Sequence, residues 1–277
     1  AAVIFGEPSE AQLAQTENLR LLQLTWAGAD KYTRMENLPQ SVVLANASGA
    51  FGTIIAEYAI GSLVALYRSF GRYWSNKQAH IWQKYDHAET ISGKTALVLG
   101  MGDIGANVAR RLKVFGAAVL GVKRTAVSTV PEDFEEAHTL DALDALLPRA
   151  DIVIGCLPNT RETAGLLTAE RLHAMKAGAV LVNVGRGSLA GTDDLVSALQ
   201  DGHLGGAALD VFETEPLPAD CPLWDMENVL LTPHIAGPSF GGSADVQNTI
   251  WHICMDNLER YLTGNPLKNV VNRSEGY

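Results

Sequence analysis

The chain has 277 residues, of which 47% are hydrophobic and 19% are charged, and its formal net charge is −10. This length accommodates two domains of ordinary size, and the acidic balance argues against nucleic acid or an anionic membrane surface as a partner. Cys156, Cys221 and Cys254 lack metal-ligand spacing. Their odd number and scattered positions predict free thiols and no metal site. Free thiols are typical of a reducing compartment, so a cytoplasmic location is expected. No run of residues is long and apolar enough to predict a transmembrane helix.

Short apolar runs alternate with helical patterns, which predicts a parallel α/β architecture. Three strands would form a small N-terminal sheet: Val3–Phe5, Leu21–Leu24 and Val42–Leu44. One long helix is predicted from about Thr53 to Trp74. A polar segment with several aromatic residues follows over residues 75–92.

The next apolar run, Leu97–Leu99, predicts a buried strand that ends in a glycine-rich turn. The turn reads Gly100-Met101-Gly102-Asp103-Ile104-Gly105. An alanine-rich helical pattern starts at once, and in this context G-x-G-x-x-G binds a dinucleotide. Gly100 permits the tight turn, Gly102 lets the backbone approach the pyrophosphate, and Gly105 allows close packing of helix and strand. The helix N-terminus presents N–H groups to the phosphates. A plain glycine turn is the alternative.

The residues at the end of the second strand of this unit indicate whether the dinucleotide is NAD(H) or NADP(H). That strand, Ala117–Val122, is followed by Lys123, Arg124 and Thr125. A carboxylate at its end would bind the adenosine ribose of NAD, whereas Lys123 and Arg124 would attract a 2′-phosphate. The sequence therefore predicts NADP(H) as the preferred cofactor, with NAD(H) still possible. Two solvated surface cations are the alternative interpretation.

The second half of the chain continues the alternation of strands and helices. Further strands are predicted at Ile152–Ile154, Ala179–Val182, Gly206–Leu209 and Val229–Leu231. Helical segments are predicted at Asp141–Leu147, Ala169–Met175 and Thr192–Gln200, with a long final helix from about Ser243 to near Gly264. This order predicts a doubly wound parallel sheet.

Three polar residues follow strands at the end of the sheet where α/β proteins bind ligands. Arg186 is flanked by glycines, and its planar guanidinium suits a carboxylate. His234 offers an acid or base, and Glu215 offers a carboxylate that would orient it. This set suits reduction of a 2-oxo acid by a nicotinamide cofactor. Each residue alone also has a structural explanation: an ion pair for the arginine, a turn at Glu215 and Pro216, and a structural histidine.

The order of these motifs resembles the D-isomer-specific 2-hydroxyacid dehydrogenase family. The matching segments are the glycine turn at 100–105, Leu157-Pro158-Asn159-Thr160, Gly185-Arg186-Gly187, Asp210-Val211-Phe212 with Glu215-Pro216, and Thr232-Pro233-His234. The resemblance implies that Arg186, Glu215 and His234 are catalytic. Asp210 would contact the nicotinamide carboxamide.

The resemblance also implies a larger set of ligand contacts. The expected cofactor-binding residues are Gly100, Gly102, Asp103, Ile104, Gly105, Lys123, Arg124, Thr125, Leu157, Pro158, Thr160, Val184, Gly185, Asp210, His234 and Gly237. The substrate would contact Arg186, His234 and the backbone of Ala27, Gly28 and Ala29.

The resemblance implies a Rossmann domain inserted into a smaller, flavodoxin-like α/β substrate domain. Residues 1–50 and 238–277 would form the substrate domain, which we expect to lack the first strand–helix unit of its relatives. Residues 51–237 would form the dinucleotide-binding domain. A homodimer is expected, built on the region around residues 68–92. One local departure is Ala190-Gly191, where relatives have a hydrophobic residue and an aspartate.

The implied activity is hydride transfer between NADP(H) and a small 2-oxo or 2-hydroxy acid of D configuration. Glyoxylate, hydroxypyruvate or a larger 2-oxo acid would be reduced, with His234 as the proton donor. The expected substrate loop has no cluster of cations, which disfavours 3-phosphoglycerate. The alternative is a dinucleotide-sensing, corepressor-like binding protein with little turnover.

Overall fold

The computed structural model describes residues 1–86, 88–238 and 240–277. His87, which belongs to the region of the expected dimer contact, lies outside them. The described residues divide by their contacts into two compact units. Unit 1 comprises Ala1–Phe51, Pro158–Thr160 and Gly237–Tyr277, and unit 2 comprises Gly52–Leu157 and Arg161–Ala236. None of the helices found in them has the length and apolar character that a membrane span needs.

Unit 1 contains a parallel three-stranded sheet in the order β1-β2-β3. Its elements are β1 (Val3–Phe5), α1 (Glu10–Leu13), β2 (Leu21–Gln23), α2 (Asp30–Thr33), β3 (Val43–Ala45) and α9 (Ala244–Thr263). Helix α9 ends at Gly264, whose φ of 73° is the left-handed conformation that favours glycine.

Buried amides hold unit 1 together. The Nδ2 atom of Asn257 in α9 donates to Oε1 of Gln23 in β2 at 2.6 Å. The Gln23 amide donates to the backbone oxygens of Leu24 and Asn46. Because each buried polar group has a partner, the helix is fixed on the sheet without an unsatisfied amide.

Unit 2 is built on a parallel seven-stranded sheet in the order β10-β9-β8-β7-β4-β5-β6. Its strands are β4 (Thr95–Leu99), β5 (Ala118–Lys123), β6 (Glu136–Thr139), β7 (Ile152–Gly155), β8 (Val180–Asn183), β9 (Gly206–Leu209) and β10 (Val229–Leu231). The four residues of β7, of β8 and of β9 are all buried, as expected for a sheet covered on both faces. The strand order reverses between β4 and β7. This Rossmann-type sheet confirms the predicted fold class.

The helices of unit 2 include two near the N-terminus of the unit and four that alternate with its strands. They are α3 (Gly52–Tyr67), α4 (Phe70–Gln78), α5 (Asp103–Val114), α6 (Leu143–Leu146), α7 (Ala169–Ala174) and α8 (Thr192–Gln200). Single 3-10 turns at Leu140–Ala142 and Leu147–Arg149 flank α6. Helix α3 packs against α5 and β9, so it lies beside the strands that carry the candidate site.

The prediction of one long helix from Thr53 to Trp74 was wrong. The chain forms α3 and α4 instead, and the break lies at Ser69, whose φ of 52° is left-handed. Helix α3 buries residues on several faces, whereas no residue of α4 is buried. Continuous packing therefore ends where α3 ends, and α4 also occupies the start of the segment over residues 75–92. Strand β6 was not predicted, because Glu-Ala-His-Thr shows no apolar pattern.

A charged pair joins α7 to the end of α8. The His173 ring donates through Nε2 to the carboxylate of Asp201, the C-cap of α8, at 2.8 Å. Its Nδ1 lies 2.8 Å from the backbone oxygen of Ala169. Both ring nitrogens face acceptors, so only the imidazolium satisfies both. The hydrogen bond with Asp201, and to a smaller extent that with the Ala169 oxygen, raises the pKa of His173 above its ordinary value of 6.5.

We therefore expect H173A to destabilise the protein more at pH 6 than at pH 9. A raised folded-state pKa gives stability that is present below the ordinary value and lost as the pH rises through the raised one. Melting temperatures at the two pH values measure this difference. The matched control is H252A, because His252 makes a similar contact with the carbonyl of Asn248 four residues earlier. Equal losses for H173A at both pH values would contradict the assignment.

Candidate active site

A histidine–carboxylate pair lies at the carboxyl edge of the unit 2 sheet. The Nδ1 atom of His234 is 2.9 Å from Oε2 of Glu215. The other oxygen of Glu215 accepts from the backbone N–H of Phe212 at 2.9 Å. Since a carboxylate only accepts, Nδ1 carries the hydrogen. The other ring nitrogen, Nε2, is therefore the atom through which His234 can exchange a proton with a ligand.

The loop that carries His234 folds around a buried carboxylate. Asp210, which follows β9, is 1% exposed. Its Oδ1 accepts from the backbone N–H of Ile235 and its Oδ2 from that of Ala236, both at 2.8 Å. Its main-chain oxygen accepts from the N–H of His234 at 2.9 Å. His234 has a φ of 55°, a conformation that costs a residue with a side chain about 1–2 kcal/mol. These contacts to Asp210 offset that cost.

Arg186 lies on the neighbouring loop, after β8. The side chain of Asn183, the last residue of β8, donates to the backbone oxygen of Arg186 at 2.9 Å. The guanidinium donates to the backbone oxygen of Gly185 at 2.7 Å. A Cβ at Gly187 would lie 1.9 Å from the carbonyl carbon of Phe212, so only glycine lets the two loops pack. The sheet thus brings the Arg186 loop and the Glu215 loop together.

The helix that follows Ala190-Gly191 is capped from another loop. Gly191 is the N-cap of α8 and has no side chain to offer as a cap. The carboxylate of Glu213 instead accepts from the backbone N–H of Thr192. A negative group at a helix N-terminus is favourable because the free N–H groups carry partial positive charge. Glu213 therefore caps α8 and anchors the loop that also carries Glu215.

The glycine turn has the geometry that the sequence predicts. Gly100 directly follows β4 with a φ of 105°, and a Cβ there would lie 2.9 Å from the backbone oxygen of Cys156. A Cβ at Gly105 would lie 1.7 Å from the backbone oxygen of Gly100. Only glycine at this position therefore lets α5 pack so closely against the end of β4. A Cβ at Gly102, in contrast, would meet no described atom within 4 Å. No described side chain caps α5 at its Gly102 N-cap. These features fit a bound pyrophosphate.

The predicted cation cluster follows β5. Lys123 is the last residue of that strand and pairs with Thr139 of β6. Arg124 and Thr125 are exposed after it. They therefore lie at the same edge of the sheet as the glycine turn, because β4 and β5 are parallel neighbours.

The remaining predicted site residues fall into both units. Leu157, Val184 and Gly185 belong to unit 2, where the Gly185 backbone packs closely on that of Leu157. The predicted ligand contacts that belong to unit 1 are Ala27, Gly28, Ala29, Pro158, Thr160 and Gly237. Within unit 1 the Nδ2 of Asn46 donates to the backbone oxygen of Ala27 at 2.8 Å, which holds this loop.

The three cysteines are free thiols, as predicted. Burial raises the pKa of the Cys156 thiol to about 12. Burial, together with the charge of Glu7, raises that of Cys254 to about 11. These two thiols are therefore not thiolate nucleophiles at neutral pH. No cluster of metal-ligating side chains occurs among the residues that the structure describes.

Sequence reasoning missed two residues of this site. The hydroxyls of Tyr58 in α3 and Thr232 after β10 lie 2.6 Å apart, and Thr232 also contacts Asp210. Thr232 was visible only as the start of the motif that contains His234. Tyr58 gives no local signal, because a tyrosine in an apolar helix is an ordinary core residue.

Comparisons with known proteins show the family of the chain. The family model described as "D-isomer specific 2-hydroxyacid dehydrogenase, NAD binding domain" matches residues 60–236. A glyoxylate reductase from Thermofilum pendens is 32% identical over 264 residues, which cover 92% of this chain and 76% of the relative.

Solved structures match almost the whole chain. A D-isomer-specific 2-hydroxyacid dehydrogenase family protein from Aeromonas salmonicida is 37% identical with a TM-score of 0.88, covering 99% of this chain and 86% of its own. An NADPH-dependent glyoxylate/hydroxypyruvate reductase from Sinorhizobium meliloti, solved with NADP and sulfate, is 30% identical with a TM-score of 0.87, at the same coverage. The chain belongs to the D-isomer-specific 2-hydroxyacid dehydrogenase family, and it is an NAD(P)-dependent oxidoreductase that acts on the CH–OH group of its donors.

Proposed function

We propose that the protein reduces a small 2-oxo acid, such as glyoxylate or hydroxypyruvate, to the D-2-hydroxy acid with NADPH. The observation that carries the proposal is the 2.9 Å contact between His234 and Glu215 at the edge of the sheet that also holds the glycine turn. The name of the Sinorhizobium meliloti reductase supports this choice of substrates and cofactor.

The residues would divide the work as follows. The bound reduced nicotinamide supplies the hydride. Arg186 holds the substrate carboxylate and polarises its carbonyl, since a guanidinium forms paired hydrogen bonds with a carboxylate. His234 donates the proton on Nε2 to the oxygen that gains charge. Glu215 accepts from Nδ1, and therefore fixes the orientation and the tautomer of the ring. The backbone of Ala27, Gly28 and Ala29 in unit 1 is proposed as a further substrate-binding segment.

We propose that the cofactor is held in the following way. The pyrophosphate would lie on the uncapped N-terminus of α5 beside Gly102, in the open space next to that residue. Lys123, Arg124 and Thr125 would bind the 2′-phosphate, because two cations and a hydroxyl replace the carboxylate that favours NAD. The ratio of kcat/KM with NADPH to that with NADH tests this assignment directly.

We also propose a homodimer through α4 and the residues after it. Trp74 of α4 is 62% exposed, and Trp82 is 99% exposed. Phe70 and Ile81 are exposed beside them in sequence. Monomeric proteins rarely expose several large apolar side chains in one segment, and a second copy of the chain would cover them.

The glycine turn allows cofactor binding to be separated from folding. We expect G102A to weaken NADPH binding at least tenfold, because the new methyl group would take the space of the pyrophosphate. Its own cost is an N-cap change of about 1 kcal/mol or less. G105A is the matched contrast, because its Cβ clashes with the backbone and costs about 1–3 kcal/mol or more. Fluorescence titration with NADPH and thermal melts measure both. Unchanged affinity in G102A would place the pyrophosphate elsewhere.

The reaction is tested by steady-state kinetics with glyoxylate, hydroxypyruvate and a larger 2-oxo acid, each with NADPH and NADH. We expect turnover with NADPH, and a loss of roughly 10²–10⁴ in kcat for H234A because the proton donor is gone. H138A is the matched control, since His138 forms another histidine–carboxylate pair, with Glu136 and also at 2.9 Å, on the edge strand β6. NADPH binding without turnover of any 2-oxo acid would favour a dinucleotide-sensing protein instead.

The assembly is tested by sedimentation of the full chain at about 10 µM. We expect a dimer for the unmodified protein and a monomer for W74S/W82S, because that change removes the apolar contact. W224S is the control, since Trp224 is also exposed in unit 2 but outside this segment. A monomeric unmodified protein would rule the proposed interface out.

A further inference from the structure

A chain of hydroxyl groups leads from α3 to the buried carboxylate of Asp210. The Oγ1 atom of Thr232 lies 2.6 Å from Oδ1 of Asp210 and 2.6 Å from the hydroxyl of Tyr58. Asp210 already accepts two backbone N–H groups, so it is the acceptor for Thr232 as well. A hydroxyl has one hydrogen, and that of Thr232 therefore points to Asp210. Tyr58 must then donate to Thr232, so every hydrogen in the chain points towards Asp210.

The first donor of this chain keeps its hydrogen. Burial raises the pKa of Tyr58, and the charge of Asp210 adds to the effect, although the hydrogen bonds with Thr232 and Ser62 oppose it. Ser62 lies one turn further along α3 and is itself buried. Tyr58 therefore keeps its hydrogen and is a donor at neutral pH. Hydrogen bonds aligned in one direction polarise one another and strengthen the contact at the acceptor.

The acceptor of the chain determines the conformation of the His234 loop. Asp210 takes the N–H groups of His234, Ile235 and Ala236, three consecutive residues. His234 has a left-handed φ of 55°, which an unconstrained loop rarely adopts at a histidine. If the Asp210 side chain rotated, its bonds to Ile235 and Ala236 would be lost together, and the loop directly after the imidazole would lose that constraint. The hydroxyl of Thr232 is the side-chain contact that opposes this rotation.

The origin of the chain lies on the helix that packs beside the predicted cofactor site. Helix α3 packs against α5, and a Cβ at Gly52 in its first turn would lie 2.4 Å from Oδ1 of Asp103, the first residue of α5. The same helix thus contacts the N-terminus of α5 and, six residues later, holds Thr232 through Tyr58. Helix α3 therefore connects the His234 loop to α5, the helix that follows the glycine turn.

We infer that Tyr58 and Thr232 are positioning residues, which hold Asp210 and through it set the orientation of the proton donor His234. This inference rests on the proposed function, because it assigns His234 its role. It goes beyond that function by making a tyrosine on α3, outside the sheet edge, part of the machinery that aligns the imidazole.

The test compares T232V, T232S and Y58F with the unmodified protein. Valine keeps the shape of threonine but removes both hydrogen bonds, so we expect T232V to lower kcat roughly tenfold to hundredfold with an unchanged NADPH dissociation constant. T232S retains the hydroxyl and should restore kcat to within about twofold. Y58F removes one donor and should lower kcat by about threefold to tenfold. The matched control is Y67F, since Tyr67 is a buried tyrosine about 13 Å further along the same helix.

A readout independent of turnover separates positioning from a general loss of stability. In the cofactor-free protein, the ring resonances of His234 should be sharp and unchanged in T232S and Y67F. They should be shifted or broadened in T232V, at a temperature where thermal melts show all variants folded. Kinetic values and resonances of T232V and Y58F equal to those of the unmodified protein would overturn the inference, while loss of activity in H234A alone would leave the proposed function intact. If H234A itself remained active, the proposed function would fail instead.

Discussion

Burial of the Asp210 carboxylate is the constraint on which the candidate site depends. A charge taken out of water is tolerated only when hydrogen bonds replace the lost solvation. At Asp210 these bonds come from a side-chain hydroxyl and from consecutive backbone N–H groups, so the chain after β10 has little choice of conformation. Because these bonds fix the loop, the backbone of His234 takes a left-handed conformation. That conformation places the imidazole in contact with Glu215.

The sheet explains why distant parts of the sequence reach the same place. Parallel strands all end at one edge, so the loops after β8, β9 and β10 are neighbours although about 50 residues separate Arg186 from His234. Small residues then let these loops approach, as at Gly187 against Phe212. At the centre of the same edge, where the strand order reverses, Gly100 and Gly105 bring the start of α5 against β4. One sheet topology therefore positions both the candidate catalytic loops and the candidate cofactor-binding loop.

Much of this was accessible from the sequence, because buried parallel strands are continuous apolar runs and the glycine turn has a fixed spacing. The seven-stranded sheet lacked only β6 in the prediction, a short edge strand whose Glu136 and His138 mask any apolar pattern. The break at Ser69 depends on where tertiary packing ends, which local propensity does not encode. The partnership of Tyr58 with Thr232 joins residues 174 apart, and one sequence contains no signal for such a contact.

The cap that Glu213 supplies to α8 has a mechanical consequence. A helix capped by its own N-cap residue can keep its first turn while neighbouring loops move. Here the cap belongs to the loop after β9, only two residues from Glu215, so an outward movement of that loop would break the bond to Thr192 and leave its N–H without this acceptor. The acidic partner of the imidazole is therefore tethered to the start of α8 through the loop that Glu213 and Glu215 share.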